Sequence, residues 1–258
     1  QELVIGHDDV RAAGDENPPF GPDQPGDHVH FLQELLRVDH QPVADADAAV
    51  AVGGGVHGGL YHSQNPEAWF FHVPGLKLVA PATAYDAKGL MKSAIRDDDP
   101  VIYFEHKFLY RRIKEEIPQE EYLVPIGKAA LRKEGRDLTV IAYSSPVHAV
   151  MKAARDMAKE VDIEVIDLRT LLPIDWATVK ASVRKTGKVL IVHEARLTGG
   201  IGAEIAARIA QECFEDLDGP VMRLAARDTH TPFAPAMEEY VLPNQEKITE
   251  AIRKLAAY

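Results

Sequence analysis

From Leu76 onward, short runs of aliphatic and β-branched residues alternate with stretches whose apolar positions recur every three or four residues, the pattern of an α/β chain with largely parallel sheets. Lys77–Ala80 reads as a strand. Ala84, Ala87, Leu90, Met91, Ala94 and Ile95 then repeat at helical spacing before Val101–Phe104 forms a second strand, which makes a βαβ unit. Between residues 107 and 136 the periodicity gives way to charge, and Pro118 and Pro125 interrupt any continuous helix, so this segment reads as a linker.

Alternation restarts with a strand at Leu138–Ala142, a helix carrying Val147, Val150, Met151, Ala154 and Met157, and a strand at Ile163–Ile166. A helix near Asp175–Lys185, a strand at Val189–Val192, a helix over Ile201–Cys213, a strand at Val221–Leu224 and a last helix with Ile248, Ile252 and Leu255 complete it. The expected organisation is an unmatched segment over 1–52, a domain remnant over 53–106, the linker over 107–136 and a second α/β domain over 137–258. Residues 1–52 are rich in Asp, Gly, Pro, His and Ala, with one apolar cluster at Phe31, Leu32, Leu35 and Leu36.

Charge and cysteine content narrow the function classes. A net charge of −11 over 258 residues opposes a polyanion-binding surface, so nucleic acid is not an expected partner. No apolar run is long enough to span a membrane, and the single Cys213 cannot form an intrachain disulfide, which together suggest an intracellular, reducing location.

Three clusters could carry chemistry. Residues 53–64, Gly-Gly-Gly-Val-His-Gly-Gly-Leu-Tyr-His-Ser-Gln, hold five glycines and two histidines, a loop able to approach a ligand closely while an imidazole exchanges a proton. Loop histidines bonded to nearby carbonyls are an equally good reading of the same residues, and a metal site from His57, His62 and His72 is a weaker one. Asp97, Asp98 and Asp99 follow a helix end whose carbonyls suit a hard cation, although an acidic turn in solvent has the same composition. His193–Gly200 ends a strand and leads into a helix; without the glycine spacing of a nucleotide loop it reads as a tight connection with no catalytic role.

The phrase His57-Gly58-Gly59-Leu60-Tyr61-His62-Ser63-Gln64-Asn65-Pro66-Glu67-Ala68, followed by His72-Val73-Pro74-Gly75-Leu76-Lys77, resembles the β subunit of thiamine-diphosphate-dependent 2-oxo acid dehydrogenase first components. The resemblance continues through Asp86–Leu90, Asp99–Glu105, Glu164–Thr170, His193–Ala195 and Leu197–Gly200, about four fifths of the chain. It implies an incomplete pyrimidine-binding domain of transketolase type followed by a transketolase-type C-terminal α/β domain. It also implies oxidative decarboxylation of a 2-oxo acid and acyl transfer to lipoyl groups, with branched-chain substrates favoured, pyruvate the alternative, and a catalytically inactive assembly module of the same complex a further one. A stand-alone transketolase-like enzyme would need a diphosphate-binding motif in the same chain, and none is found.

By the same resemblance the cofactor is thiamine diphosphate with Mg2+, shared with an α subunit in an α2β2 heterotetramer that serves a lipoyl-bearing acyltransferase core. His62 matches the family's active-site histidine and implies proton transfer during reductive acylation. Ala94, Asp97 and Asp99 match a potassium site of some members. The family's aminopyrimidine-contacting glutamate is not found in residues 1–52, which read as replaced or shifted in frame, and the pyrimidine-binding sheet is expected to lack its upstream strands. The implied location is the cytoplasm, or the mitochondrial matrix in a eukaryote.

Overall fold

A computed structural model of the protein describes residues 48–258. The apolar cluster of Phe31–Leu36 and the remainder of residues 1–47 lie outside the described residues.

Two sheets are built in succession. The first contains β1 (Ala48–Val52), β2 (Lys77–Val79) and β3 (Val101–His106), with the one-turn α1 (Gly59–His62), the short α2 (Glu67–Phe71) and the three-turn α3 (Ala84–Ile95) between them. The second contains β4 (Ala130–Lys133), β5 (Leu138–Ala142), β6 (Ile163–Asp167), β8 (Val189–Arg196) and β9 (Met222–Ala226), with β7 (Thr170–Leu172) returning to the first sheet. Its helices are α4 (Pro146–Asp156), α5 (Trp176–Thr186), α6 (Ile201–Glu212), α7 (Pro235–Val241) and α8 (Gln245–Ala256).

The first sheet has the order β1-β3-β2-β7, and the second β4-β6-β5-β8-β9. Parallel pairing prevails; only β7 against β2 and β4 against β6 run antiparallel. The strand at Ala48–Val52 pairs with β3 from Ala48↔Ile102 to Val52↔His106, so β3 has the parallel neighbour that the sequence alone does not identify. Because β7 follows β6 directly yet pairs with β2, the chain crosses back and stitches the two sheets together.

Local chemistry explains the helix boundaries. Thr83, Asp175 and Asn244 each accept an N–H from the first turn of α3, α5 and α8, and Gly187 at φ 67° closes α5 in a left-handed turn. The charged surface of α8 conceals a narrow stripe of Ile248, Ile252 and Leu255, each fully buried against β5, β6 and β8 together with Val147 and Val150 of α4. Each such side chain contributes roughly 1.5–3 kcal/mol by leaving water. On the opposite face, polar β5 residue Thr139 is buried without loss because its hydroxyl meets Ser182 and Thr186 of α5 at 2.6 and 2.7 Å.

A buried ion network joins the two halves. Asp86 of α3 bonds Arg132 of β4 and, at 2.9 Å, Arg169 of the β6–β7 turn; Arg132 also bonds Asp167 at 2.7 and 3.1 Å. Burial works against ionisation of Asp86, but the two guanidinium groups hold its carboxyl below the usual range; at Asp167 burial wins and raises the pKa to about 6. Arg132→Leu leaves Asp86 with one cation and Asp167 with none, and it is expected to lower stability by about 3–5 kcal/mol. Urea unfolding measures this, and a loss below about 1 kcal/mol would mean the network behaves like a surface pair.

Candidate functional site

The glycine-rich segment is the turn between β1 and α1, and its glycines are required by what surrounds them. Gly53 has φ 93°, and a Cβ there would stand 2.1 Å from the His106 ring. At Gly54 a Cβ would stand 2.4 Å from Leu242 and lie between the Glu238 and Glu194 carboxylates, at 3.2 and 3.4 Å. The loop is therefore pressed onto β3 from one side and onto β8 and α7 from the other.

Glu194 is the hub of that contact. One carboxylate oxygen accepts the Gly54 N–H at 2.6 Å and the Asn65 amide at 2.8 Å; the other lies 3.1 Å from His106 Nε2. The side chain is 12% exposed. Burial alone would raise its pKa, but His106 and the two donors outweigh that and hold it below the ordinary carboxylate range.

Further bonds fix the segment. Gly53 donates its N–H to the Gln64 carbonyl at 3.1 Å, Gly58 donates to Ser63 Oγ at 2.9 Å, and Arg196 bonds the Gln64 carboxamide. Glu67 and Tyr143 form a buried pair at 2.7 Å, with burial pushing both pKa values up. Tyr143 stacks in parallel on His193, with ring centroids 6.2 Å apart.

His62 ends α1 with its side chain exposed and its carbonyl bonded by Lys107. His57, exposed on the same loop, bonds buried Glu238 of α7 at 2.7 Å, whereas His72 stands exposed after α2. The three histidines do not converge, and no cluster of three metal-ligating side chains occurs among the described residues. Ala94, Asp97 and Asp99 do come together where α3 ends. There the Ala94 carbonyl accepts the Asp97 N–H at 3.0 Å, and the Lys77 ammonium contacts the Asp97 and Asp99 carboxylates at 2.5 and 2.9 Å.

A cleft of about 670 Å³ opens beside the loop, lined by Gly54, His57, Arg112, His148, Glu194 and Glu238 among others. Sequence reasoning passed over most of this wall. Glu194 lies in a segment read as a plain connection, and no local pattern marks Glu238, His106 or Tyr143, which reach the loop from 181, 53 and 76 residues away from their contacts.

Comparison with known proteins defines the class. Residues 47–112 match the transketolase pyrimidine-binding domain and residues 127–248 the transketolase C-terminal domain. Among solved structures, a split-gene transketolase described as an inactive β4 tetramer superposes with a TM-score of 0.67 at 24% identity, covering 81% of this chain and 65% of that one. The transketolase of Leishmania mexicana gives 0.54 at 17% identity over 77% of this chain and 28% of that one. Both show the fold.

Sequence relatives are more specific. The 2-oxoisovalerate dehydrogenase subunit beta of Bacillus subtilis is 50% identical over 234 residues, 88% of this chain and 72% of the relative. The pyruvate dehydrogenase E1 component subunit beta of the same organism is 45% identical over 207 residues, 80% of this chain and 63% of the relative. The mitochondrial 2-oxoisovalerate dehydrogenase subunit beta 2 of Arabidopsis thaliana is 46% identical over 203 residues, 78% of this chain and 56% of the relative. The chain belongs to the family of 2-oxo acid dehydrogenase E1 β subunits. It spans between about half and three quarters of the length of these relatives.

Two outcomes follow from the site. Glu194→Ala strands the Gly54 N–H and His106 in a buried place and should cost about 3–5 kcal/mol, with Glu194→Gln retaining part of it because the carboxamide still accepts a bond. Differential scanning calorimetry of both variants checks the order.

His193 gives a pH signature. Its ring is fully buried, and burial, partly opposed by a bond to the Ala195 backbone and reinforced by the Arg223 charge, lowers its pKa to about 4 from 6.5. A depressed histidine pKa gives stability that is present above pH 6.5 and lost as pH falls toward 4. His193→Leu should flatten that loss by about 3 kcal/mol, as read from urea unfolding across the range.

Proposed function

We propose that this chain is the β component of a 2-oxo acid dehydrogenase, acting with an α-type partner in an α2β2 assembly on branched-chain 2-oxo acids and passing the acyl group to a lipoyl-bearing core. The observation that supports this most directly is the tethering of the Tyr-His-Ser-Gln turn, with His62 exposed at its end, to the C-terminal sheet through Glu194 and Arg196. A rigid loop presenting an imidazole to solvent suits proton transfer to a substrate carried in from outside. The higher identity to the 2-oxoisovalerate subunit than to the pyruvate subunit of Bacillus subtilis favours the branched-chain branch, with pyruvate as the alternative.

The cofactor in this reading is thiamine diphosphate, which would supply the nucleophile and electron sink that decarboxylation of a 2-oxo acid needs. The cleft beside the loop carries Glu194, Glu238 and Glu239 together with Arg112, His57 and His148, and its carboxylates suit a ring bearing N–H donors. In this reading the partner holds the diphosphate and its magnesium, as the resemblance implies. What this chain contributes is a held loop, a wall of hydrogen-bond acceptors and a proton at His62. Potassium at Ala94, Asp97 and Asp99 would share the two carboxylates with the Lys77 ammonium. The reading places the assembly in the cytoplasm, or in the mitochondrial matrix of a eukaryote; among the described residues no helix is long and apolar enough to cross a membrane.

Co-purification with an α subunit, thiamine diphosphate and magnesium, followed by 2-oxo acid turnover, tests the reading; assembly without turnover would support the inactive module instead. In the active complex His62→Ala should lower lipoyl-dependent turnover by about 10²-fold or more and reduction of an artificial electron acceptor by much less. Equal losses in the two assays would remove His62 from the acyl-transfer step.

A further inference from the structure

His57 stands in a backbone conformation that costs a β-carbon-bearing residue free energy, at φ 56° between Val56 and Gly58. What meets it there is Glu238, which is 2% exposed and whose Oε2 lies 2.7 Å from His57 Nδ1. The other oxygen of Glu238 is buried with no hydrogen-bond partner, so His57 is the only side-chain partner of this carboxylate among the described residues. A buried carboxylate with one partner is expensive to maintain, and nothing in the packing of α7 demands it: Leu242 and Val241 provide the apolar contacts there.

We propose that Glu238 is a positioning residue that makes His57 a second imidazole acid–base group of the cleft, five residues before His62 on the same loop. A carboxylate at Nδ1 accepts that N–H and fixes the tautomer in which Nε2 carries the free lone pair. The two ring nitrogens point to opposite sides, and the side chain is 50% exposed, so with Nδ1 turned inward to Glu238 the reactive Nε2 faces the open cleft. Nε2 takes a proton from an O–H, N–H or S–H donor of a bound ligand, giving an imidazolium whose Nδ1–H stays on Glu238, and returns it in the reverse step. Around the pair stand Glu194 of β8, Glu239 of α7, Arg112 beyond β3 and His148 of α4, so the dyad works in a charged and polar surround.

The arrangement is testable without any activity. In the full chain at pH 8, 15N-correlated imidazole spectra should show His57 protonated at Nδ1, the minority form of a free histidine. Glu238→Leu should shift it mainly to the Nε2–H form, and Glu238→Gln, which keeps an acceptor at Nδ1, should retain the Nδ1–H form. A wild-type chain in the Nε2–H form, or a Glu238→Leu spectrum identical to wild type, would overturn the dyad.

The role in turnover rests on the proposed function and is read in the assembled complex. His57→Gln should lower kcat at least tenfold with KM within twofold and change the pH–rate profile, and a kcat within twofold of wild type would sink the acid–base role. If the wild-type chain assembles but turns over no 2-oxo acid, the functional reading fails, whereas the spectra still decide whether Glu238 positions His57.

Discussion

The candidate site depends on one carboxylate. Glu194 receives an N–H from the glycine turn, an amide from Asn65 and a contact from His106, three groups contributed by two separate stretches of the first sheet's domain, while it is itself carried by the last parallel pair of the second sheet. A glycine-rich turn has no side chains with which to hold itself, so its conformation has to be imposed from outside, and a buried anion that several donors satisfy does this directionally. Without it, the segment from Gly53 to Gln64 would keep its local bonds and the ties of His57 to Glu238, His62 to Lys107 and Gln64 to Arg196, but the Gly54 N–H and the Asn65 amide would lose their shared acceptor.

The second constraint is the crossing of the chain between sheets. β7 leaves the second sheet's strand sequence to pair with β2, and the Arg169 turn that allows this is bonded to Asp86 at one end and to Asp167 at the other. Apolar packing alone has little directional preference, so it would let the two halves slide. The two arginines and two aspartates specify one relation between α3, β4 and the β6–β7 turn, and Glu194 can reach the glycine turn only in that relation.

The chain offers acceptors, imidazoles and a tethered turn around the cleft. Much of the site was legible in the amino-acid order: the glycine run and the Tyr-His-Ser-Gln phrase are contiguous, and local sequence is enough to place His62 on a turn. The acidic end of α3 was legible too, but its neighbour Lys77 lies on another strand, so the side chain that meets Asp97 and Asp99 could be found only in the folded chain.

Periodicity determined the alternation of strands and helices, because strands buried on both faces are mostly apolar and covering helices carry a stripe; the strands read at Leu138–Ala142 and Ile163–Ile166 and the Ile248–Ile252–Leu255 stripe follow from that pattern, with Thr139 and Glu164 as buried polar exceptions. It missed β1, β4 and β7, short edge strands that form only because β3, β6 and β2 offer them free backbone groups. Tertiary structure alone decided the pairings of Glu194 with the glycine turn, Glu238 with His57 and Tyr143 with Glu67. A hydrogen bond between residues 76 to 181 positions apart leaves no trace in local composition; it exists because the sheets bring those positions within 3 Å of each other.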